Sequence, residues 1–444
     1  MITTLSISEA RAMERRNFIK SVGAAGVLSI MGDRFAPPLL AAPATDKPLF
    51  ITATCPGGWD VSLFCDPRFG ADFPLNRFGE GDLRKFGPFT LGPGSAAAVQ
   101  FFERYSKKIM LLNGVFAETI DHGVGQRLAC SGGAGTGFPC FDALVAASLG
   151  PTLGLSFISG GGYDETAHEI AKTLSAPSLI QAMSSTIGKD NVFSSSDTSA
   201  ISASIAARLK RKQAQAQLAI RTKNMSLLAQ ARQGWGAFPG VLKTVADLQA
   251  KVPLVQGVTG DDKAVKDMRN QLFLSIQLAL AGYVNNATVS ANIAFGNCDQ
   301  HSNFPQHHLE LDGFFIGMDY LWRAAEYLGI SDRLNVMMGS DFSRSPFAIG
   351  AANDQGKEHW AQTTSIILMG TNVPGETLIG STTRDKSFKA EMIDPKTLKP
   401  AASGVPLLRS HVHNELRRIA GIQDHPIVKK YPLILPGGPI RILS

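Results

Sequence analysis

Short apolar runs alternate with segments of helical spacing along most of the chain. The apolar runs occupy Leu49–Thr54, 107–116, 152–161, 288–297, 334–344 and 364–373. Such runs, bounded by turn residues, predict buried strands. Helical spacing predicts helices at 140–150, 267–284, 311–330 and 410–422. Strands that alternate with helices predict an α/β fold with a mostly parallel central sheet flanked by helices.

Two segments depart from this alternation. Residues from about 176 to 275 are rich in Ala, Gln, Lys, Ser and Leu, with helical spacing over 199–235. We expect them to form a helical cap or insertion in the fold. Residues 117–137, "AETIDHGVGQRLACSGGAGTG", are polar and rich in glycine. This segment is predicted to be a loop that follows a buried strand.

Composition and charge set broad limits on function. The chain has 444 residues, of which 44% are hydrophobic and 18% charged, as is ordinary for a globular protein. Its net charge of +6 is spread thinly. The one dense basic run, "RLKRK" at 208–212, is interpreted as a solvated helix face. We therefore expect no nucleic-acid partner.

The N-terminus has the features of an export signal. Arg15 and Arg16 precede Phe18 and Lys20, and a mildly apolar stretch rich in Gly and Ala follows. Small residues come next, in "LLAAPA". This order of a basic region, an apolar region and a cleavage zone resembles a twin-arginine signal.

The signal suggests a division of the chain. Residues 1–44 would form the signal peptide, and 45–444 a single α/β domain that includes the helical insertion at about 176–275. The apolar region is too short and too rich in glycine to span a membrane, so no stable span is expected after cleavage. We expect a periplasmic or secreted protein whose partner in transit is the twin-arginine translocation machinery.

The five cysteines are Cys55, Cys65, Cys130, Cys140 and Cys298. Cys55/Cys65 and Cys130/Cys140 share one spacing. An oxidising compartment permits disulfides, but pairing cannot be deduced from sequence, so disulfides and buried thiols both remain open.

Polar motifs stand at or just beyond several predicted strand ends. They are Asp60, the Asp121-His122 pair, Asp299 with His301, and Asp341, and His359 follows Asp341 in "KEHW". In α/β folds, ligands gather beyond the carboxyl ends of the strands. Mixed Asp/His sets suit zinc, manganese or iron, and oxygen-only sets suit magnesium or calcium. The pattern therefore predicts a site for one or more divalent metal ions of undecided type.

The stretch "CDQHSNFPQHH", residues 298–308, concentrates this chemistry. Asp299 and His301 are two residues apart, so on an extended segment both side chains would face the same side and could bind one ion. A hydrogen-bonded polar turn is the alternative. His307 and His308 are expected further along the loop, where at most one of them would reach the same site.

The order of these motifs resembles that of a known family. "GGWD" follows the first strand, "DQHSN" comes later, and "GSDFSR" precedes a further histidine. The sequence is similar in this respect to the exported DUF1501 proteins, which are related to sulfatases and alkaline phosphatases. The resemblance implies an alkaline-phosphatase-like α/β fold with a metal site. Its candidate ligands are Asp60, Asp299, His301, Asp341 and His359, with Asp60 and Asp341 sharing one ion.

The resemblance also bears on the catalytic group. Related enzymes place Cys, Ser or Thr shortly before a helix start, and that place falls on or near His122. An imidazole there could bind a metal or attack phosphorus. Alternative nucleophiles are Ser131, Thr119 and Thr136. Arg127 or Arg344 could hold anionic oxygens.

Two functions follow from these observations. One is a metal-dependent hydrolase of phosphate or sulfate esters, with a small anionic ester as substrate. The other is a non-catalytic periplasmic binding or assembly protein that keeps the fold. The Asp and His motifs favour the first, whereas the missing Ser, Thr or Cys favours the second. The sequence leaves both open.

Overall fold

An eight-stranded sheet lies at the centre of the protein in a computed structural model. The structure describes residues 47–173, 175–187, 234–254, 263–302, 304–347 and 356–443, with a few more between 203 and 211. The expected signal, residues 1–44, lies outside the described residues, as does part of the basic run at 208–212.

Twelve strands and nine α-helices have defined bounds in this part of the chain. The strands are β1 (Leu49–Thr54), β2 (Arg84–Phe86), β3 (Phe89–Leu91), β4 (Ile109–Phe116), β5 (Phe157–Gly160), β6 (Ser290–Ala294), β7 (Leu334–Gly339), β8 (Ser343–Arg344), β9 (His359–Trp360), β10 (Thr364–Gly370), β11 (Thr377–Ile379) and β12 (Leu407–Leu408). The helices are α1 (Ala96–Tyr105), α2 (His122–Ser131), α3 (Phe141–Leu149), α4 (Ala176–Ile187), α5 (Phe238–Lys251), α6 (Lys263–Val284), α7 (Phe304–Tyr327), α8 (Arg409–Ile419) and α9 (Pro426–Lys429).

The strand order of the main sheet is β11-β4-β10-β7-β1-β6-β5, with β12 pairing beside β4. β1 runs parallel to both β6 and β7, and β5 is parallel to β6. β10 is antiparallel to its neighbours β4 and β7. The prediction of a mostly parallel sheet is confirmed. Because β10 runs the other way, its N-terminal end lies at the edge where β1, β4, β6 and β7 finish.

Both faces of the sheet are covered, as the apolar runs require. Leu49, Ile51 and Ala53 of β1 pack into one core cluster, and Phe50 packs into a second. Side chains of α1, α4, α5, α6 and α7 join the first cluster, whereas those of α3, α8 and α9 join the second. A strand buried on both faces reads as a continuous apolar run, because it has no polar face.

The segment predicted as the loop 117–137 contains helix α2, so this prediction is wrong over residues 122–131. Asp121 caps the helix, since its Oδ1 accepts a hydrogen bond from Val124 N at 2.8 Å. Gly132 ends the helix with a φ of 74°. These two capping residues are the local signal that the glycine-rich composition conceals.

Helix α7 begins at Phe304, before the predicted start at 311. His307 and His308 therefore lie in a helix, and the expectation that they belong to a loop is wrong. Pro305 does not prevent this, because proline is tolerated in the first turn of a helix. His307 is fully buried, and His308 Nδ1 lies 2.6 Å from the carbonyl oxygen of Gly94.

Within the region 176–275, the structure describes α4, α5 and the first part of α6. Met183, Val241 and Leu272 from these helices join the same core cluster as strand β1. The described part of the region thus packs on the main sheet. No helix among the described residues is long and apolar enough to cross a membrane.

Helix α8 contains a buried histidine that makes stability depend on pH. His413 is fully buried, and its Nε2 lies 2.9 Å from the carbonyl oxygen of Ala129, to which it donates. Burial lowers the pKa of His413 from 6.5 to about 3. Between these values the unfolded chain binds the proton and the folded chain does not. The folded state therefore loses stability as pH falls from 6.5 towards 3.

We expect the substitution His413→Gln to flatten the dependence of the free energy of unfolding on pH below pH 6.5. The slope should fall by up to about 1.4 kcal/mol per pH unit, the value for one proton. Urea denaturation at several pH values between 4.5 and 7 measures this slope. His168→Gln, at an exposed position, is the matched control. Equal slopes in wild type and His413→Gln would contradict the assignment.

Candidate metal site

Five chain segments meet at the carboxyl edge of the sheet. Asp299 follows β6, Asp341 follows β7, and the Gly57-Gly58 turn follows β1. His122 begins helix α2, which follows β4. His359 lies in β9, shortly before β10 starts at this same edge. The topology thus brings together residues that are far apart in sequence.

The carboxylate of Asp299 is the centre of the arrangement. Its Oδ1 lies 2.8 Å from His301 Nε2 and 2.9 Å from His359 Nε2. Its Oδ2 lies 3.2 Å from His122 Nε2. Arg344 Nη2 donates to Oδ1 at 2.5 Å. Burial opposes ionisation of Asp299, but the bonds from Arg344 and His359 hold the pKa of its carboxyl well below the usual range.

Asp341 lies behind His122 and fixes its ring. Asp341 Oδ2 is 2.6 Å from His122 Nδ1, and its Oδ1 accepts from Gly58 N at 2.6 Å and from Ser340 Oγ at 3.0 Å. Although Asp341 is buried, the His122 contact lowers the pKa of its carboxyl. Gly125 lets α2 approach, since a Cβ there would lie 2.9 Å from the Asp341 backbone oxygen.

The remaining ring nitrogens of the other two histidines also have partners. His359 Nδ1 lies 2.9 Å from the carbonyl oxygen of Ile120, which can only accept a hydrogen bond. His301 Nδ1 lies 3.0 Å from Glu358 Oε2. Each ring is therefore oriented by a group outside the cluster, which is how protein side chains set the tautomer of a metal-binding histidine.

The tautomers of His122 and His359 place hydrogen-bond acceptors, rather than donors, opposite the Asp299 carboxylate. His359 Nδ1 must donate to Ile120, and His122 Nδ1 must donate to Asp341. In neutral rings, both Nε2 lone pairs then face the Asp299 carboxylate. His122 Nε2 is buried, and its 3.2 Å approach to Asp299 Oδ2 does not have the geometry of a hydrogen bond. Such an arrangement requires either extra protons on the rings or a cation between them.

The donor set fits a divalent cation. One atom each from His122, Asp299 and His359 can be chosen so that all three lie within 4.8 Å of one another. Two imidazole nitrogens and one carboxylate oxygen suit zinc, manganese or iron. The four side chains, including His301, are between 21% and 39% exposed, so solvent or a ligand can reach the cluster. A cation held here would keep open coordination positions.

Arg344 is a supporting residue in this geometry. Its side chain is fully buried, and it donates to the carbonyl oxygens of Gly58 and Lys357, both at 3.1 Å, and to that of Gly57. Together with the bond to Asp299, these contacts use four of the five guanidinium N–H donors of this fully buried side chain. The expectation that Arg344 holds substrate oxygens does not match this placement, because its donors already hold the site's backbone.

Asp60 lies outside the cluster. Its Oδ2 forms a fully buried ion pair with the ammonium of Lys357, and its Oδ1 accepts from Ser62 Oγ at 2.6 Å. Lys357 also donates to Asn76 Oδ1 at 2.6 Å. The structure therefore does not place Asp60 where it could share a metal ion with Asp341. The physical reason is that Lys357 supplies the positive charge that this carboxylate needs.

Arg127 lies beside the first turn of α2. Its Nε donates to the carbonyl oxygen of Ala134 at 3.0 Å, and its Nη1 would be 3.9 Å from a Cβ on Gly123. Of the alternative nucleophiles, Ser131 is buried and donates to the Arg127 carbonyl oxygen at 2.6 Å. Thr119 Oγ1 accepts from Asp121 N, and Thr136 is exposed.

Sequence reasoning missed Lys357 and Glu358. Both directly precede His359 in "KEHW", so their position beside a candidate ligand was a usable signal. Their partners, Asp60 and His301, lie far away in sequence, and only the fold shows those pairings.

The comparisons with known proteins identify the family. A family model described as "Protein of unknown function (DUF1501)" matches residues 93–398, and the chain belongs to this family. The resemblance seen in the sequence motifs is confirmed. No curated protein matched the chain.

Solved structures with low overall similarity also match the chain. Ps i-CgsB in complex with k-i-k-neocarrahexaose has a TM-score of 0.38 at 10% identity and covers 86% of this chain and 74% of its own. The alkaline phosphatase from the Antarctic bacterium TAB5 has a TM-score of 0.29 at 10% identity, with coverages of 75% and 95%. These TM-scores are below 0.5, so the likenesses carry no argument about what this chain binds or does.

The donor arrangement leads to a prediction about metal affinity. Wild-type protein should bind one Zn²⁺ or Mn²⁺ per chain. His122→Gln and His359→Gln should each weaken the affinity by more than about 100-fold, because each removes a ligand atom. Asp341→Asn should weaken it by about 10- to 100-fold, because it only orients His122. Isothermal titration calorimetry of the metal-free protein measures these constants.

The exposed variant His168→Gln serves as the control for this series and should bind like wild type. Circular dichroism checks that each variant is folded. An absence of metal binding in the wild type, or unchanged affinity in both His122→Gln and His359→Gln, would exclude this cluster as the metal site.

Proposed function

We propose that this protein is an exported, metal-dependent hydrolase of phosphate or sulfate esters. The observation that carries the proposal is the arrangement around Asp299, in which three imidazole Nε2 atoms face one carboxylate at an accessible sheet edge. Clefts beyond the carboxyl ends of strands are the usual ligand sites of α/β folds.

His122, Asp299 and His359 would hold the ion. A bound divalent ion would polarise an ester oxygen and lower the pKa of water at the site. Asp341 and the Ile120 carbonyl keep His122 and His359 in the tautomer that presents Nε2 to the cluster. Arg344 keeps Asp299 ionised and in place.

His301 and Glu358 form the proton-handling pair of the proposed mechanism. His301 Nδ1 lies 3.0 Å from Glu358 Oε2, and both side chains are about two-fifths exposed, at 39% and 40%. A histidine oriented by a carboxylate is a common general base. His301 Nε2 is directed at the cluster, where it can take a proton from an attacking water.

An anionic ester would need a basic group beside the cluster. The Arg127 guanidinium lies beside the first turn of α2, the helix that begins at His122 and that Asp121 caps. Arg127 is therefore our candidate for binding phosphate or sulfate oxygens. Attack by water is favoured over attack by a side chain, because His122 is engaged by Asp341 and Ser131 is buried.

A non-catalytic binding protein is the second candidate. The contacts to the Asp299 carboxylate come from imidazole and guanidinium groups, and none comes from a hydroxyl or thiol of the described residues. A site without such a nucleophile can bind an ion and an anionic ligand without turning it over. Kinetic measurements separate the two candidates.

We expect metal-loaded wild-type protein to release p-nitrophenol from p-nitrophenyl phosphate or p-nitrophenyl sulfate. Chelation should abolish the activity, and added Zn²⁺ or Mn²⁺ should restore it. His301→Gln should lower kcat by about 10²- to 10⁴-fold, as is typical for loss of a general base. His168→Gln should retain wild-type kcat. Metal binding without hydrolysis of either ester would favour the non-catalytic candidate.

Export is tested separately. Replacing both Arg15 and Arg16 by Lys should retain the chain in the cytoplasm at its full mass, because the twin-arginine pair is read by a receptor. The wild-type chain should appear in the periplasm or medium as a shorter form that begins after Ala42 or Ala44. Cell fractionation with N-terminal sequencing measures both. A periplasmic double variant, cleaved like the wild type, would count against this export route.

A further inference from the structure

Two thiols face each other next to the chain segments that form the candidate metal site. Cys55 follows strand β1, and Cys298 immediately precedes Asp299. Their Sγ atoms lie 3.1 Å apart, and both residues are fully buried. They are separated by most of the chain in sequence, so the fold alone creates this pair.

The equal sequence spacing of Cys55/Cys65 and Cys130/Cys140 does not predict the contact between Cys55 and Cys298. Cys65, which was a possible partner of Cys55, directs its Sγ to Ser365 Oγ at 3.1 Å. Cys130 and Cys140 are buried free thiols in a separate small apolar cluster. The sulfur atom in contact with Cys55 belongs to Cys298.

The backbone around the two thiols is already in close contact. Cys298 N donates to the carbonyl oxygen of Pro56 at 2.8 Å. A Cβ on Gly57 would lie only 2.3 Å from Asp299 N, so only glycine allows the two loops to approach in this way. A disulfide has sulfur atoms about 2.05 Å apart, so its formation requires an approach of about 1 Å.

We propose that Cys55 and Cys298 form a reversible disulfide that ties the Asp299 loop to the end of β1. A peroxide is the oxidant. One sulfur bonds to a peroxide oxygen as the O–O bond breaks, which gives a sulfenic acid and water. The other sulfur then attacks, the S–S bond forms as the S–O bond breaks, and a second water leaves. Two thiols and one hydrogen peroxide thus give one disulfide and two waters.

A buried carboxylate lies beside the pair. Glu310 Oε1 accepts from Gln306 at 2.9 Å, whereas Oε2 is buried and has no hydrogen-bond partner among the described residues. A Cβ on Gly296 would lie 3.1 Å from this Oε2 and 3.3 Å from Cys55 Sγ. Glu310 Oε2 and the Cys55 thiol therefore both lie next to Gly296. Glu310 can accept the proton released as sulfur attacks.

The Cys55–Cys298 disulfide would affect the candidate metal site by fixing the positions of its loops. Asp299 is the residue next to Cys298, and the Gly57-Gly58 turn that supports Asp341 and Arg344 lies just beyond Cys55. A disulfide between these two loops restricts the unfolded chain and fixes both loops to each other in the fold. The disulfide itself does not depend on the proposed hydrolase activity.

Peptide mapping of the purified full-length protein tests the proposal. The native protein is treated with hydrogen peroxide and then denatured in N-ethylmaleimide, and its peptides are analysed without reduction. We expect one linked pair of peptides, with Cys55 joined to Cys298, and alkylated Cys65, Cys130 and Cys140. Dithiothreitol should restore five alkylatable thiols. A different linkage, five unreacted thiols, or over-oxidised Cys298 beside alkylated Cys55 would overturn the proposal.

Variants test whether the bond constrains the fold. Peroxide should raise the Tm of wild type by several degrees, and Cys65→Ser, the matched control, should behave in the same way. Cys298→Ser should give neither the link nor the rise. If Cys298→Ser does not fold, the wild-type map and its reversal by dithiothreitol decide alone. A linked wild type with unchanged Tm would show that the bond fixes nothing and would overturn that part of the proposal.

Discussion

The carboxylate of Asp299 is the interaction on which the candidate site depends. It is the common neighbour of three imidazole rings, and it is also the ion-pair partner of the fully buried Arg344. The remaining Arg344 donors hold carbonyl oxygens of the Gly57-Gly58 turn and of Lys357. A buried guanidinium without a carboxylate is costly. One group therefore serves both the chemistry of the site and the stability of the loops that surround it.

The direction of one strand decides which residues can meet Asp299. Because β10 is antiparallel to β4 and β7, the chain returns to the carboxyl edge of the sheet before β10 begins, and His359 is delivered there. Gly125 and Gly57 then permit approaches that a side chain would block. Tight backbone contacts hold the loops, so the imidazole rings are positioned by the sheet and by fixed partners.

The buried strands and most helices could be predicted from sequence, because burial on both faces leaves a continuous apolar run in segments such as Leu49–Thr54. Helix α2 could not, since its glycines mask a helix that depends on capping and on packing against Asp341. Motif order gave Asp299 and His359 among five candidate ligands, and the structure places their side chains in contact. The ion pairs Arg344–Asp299 and Lys357–Asp60 could not be predicted, because each joins residues that are far apart in sequence.

The short segment Lys357-Glu358-His359 explains why the site differs from a two-ion arrangement. Lys357 places an ammonium on the buried Asp60, Glu358 contacts His301, and His359 contacts Asp299. The Asp60 carboxylate is thereby neutralised by the chain itself, and a second cation beside it would meet the like charge of Lys357. Among the described residues, His122, Asp299 and His359 form the one group arranged to hold an ion. In the proposed function this edge would therefore hold one ion rather than two, and the His301–Glu358 pair would handle protons beside it.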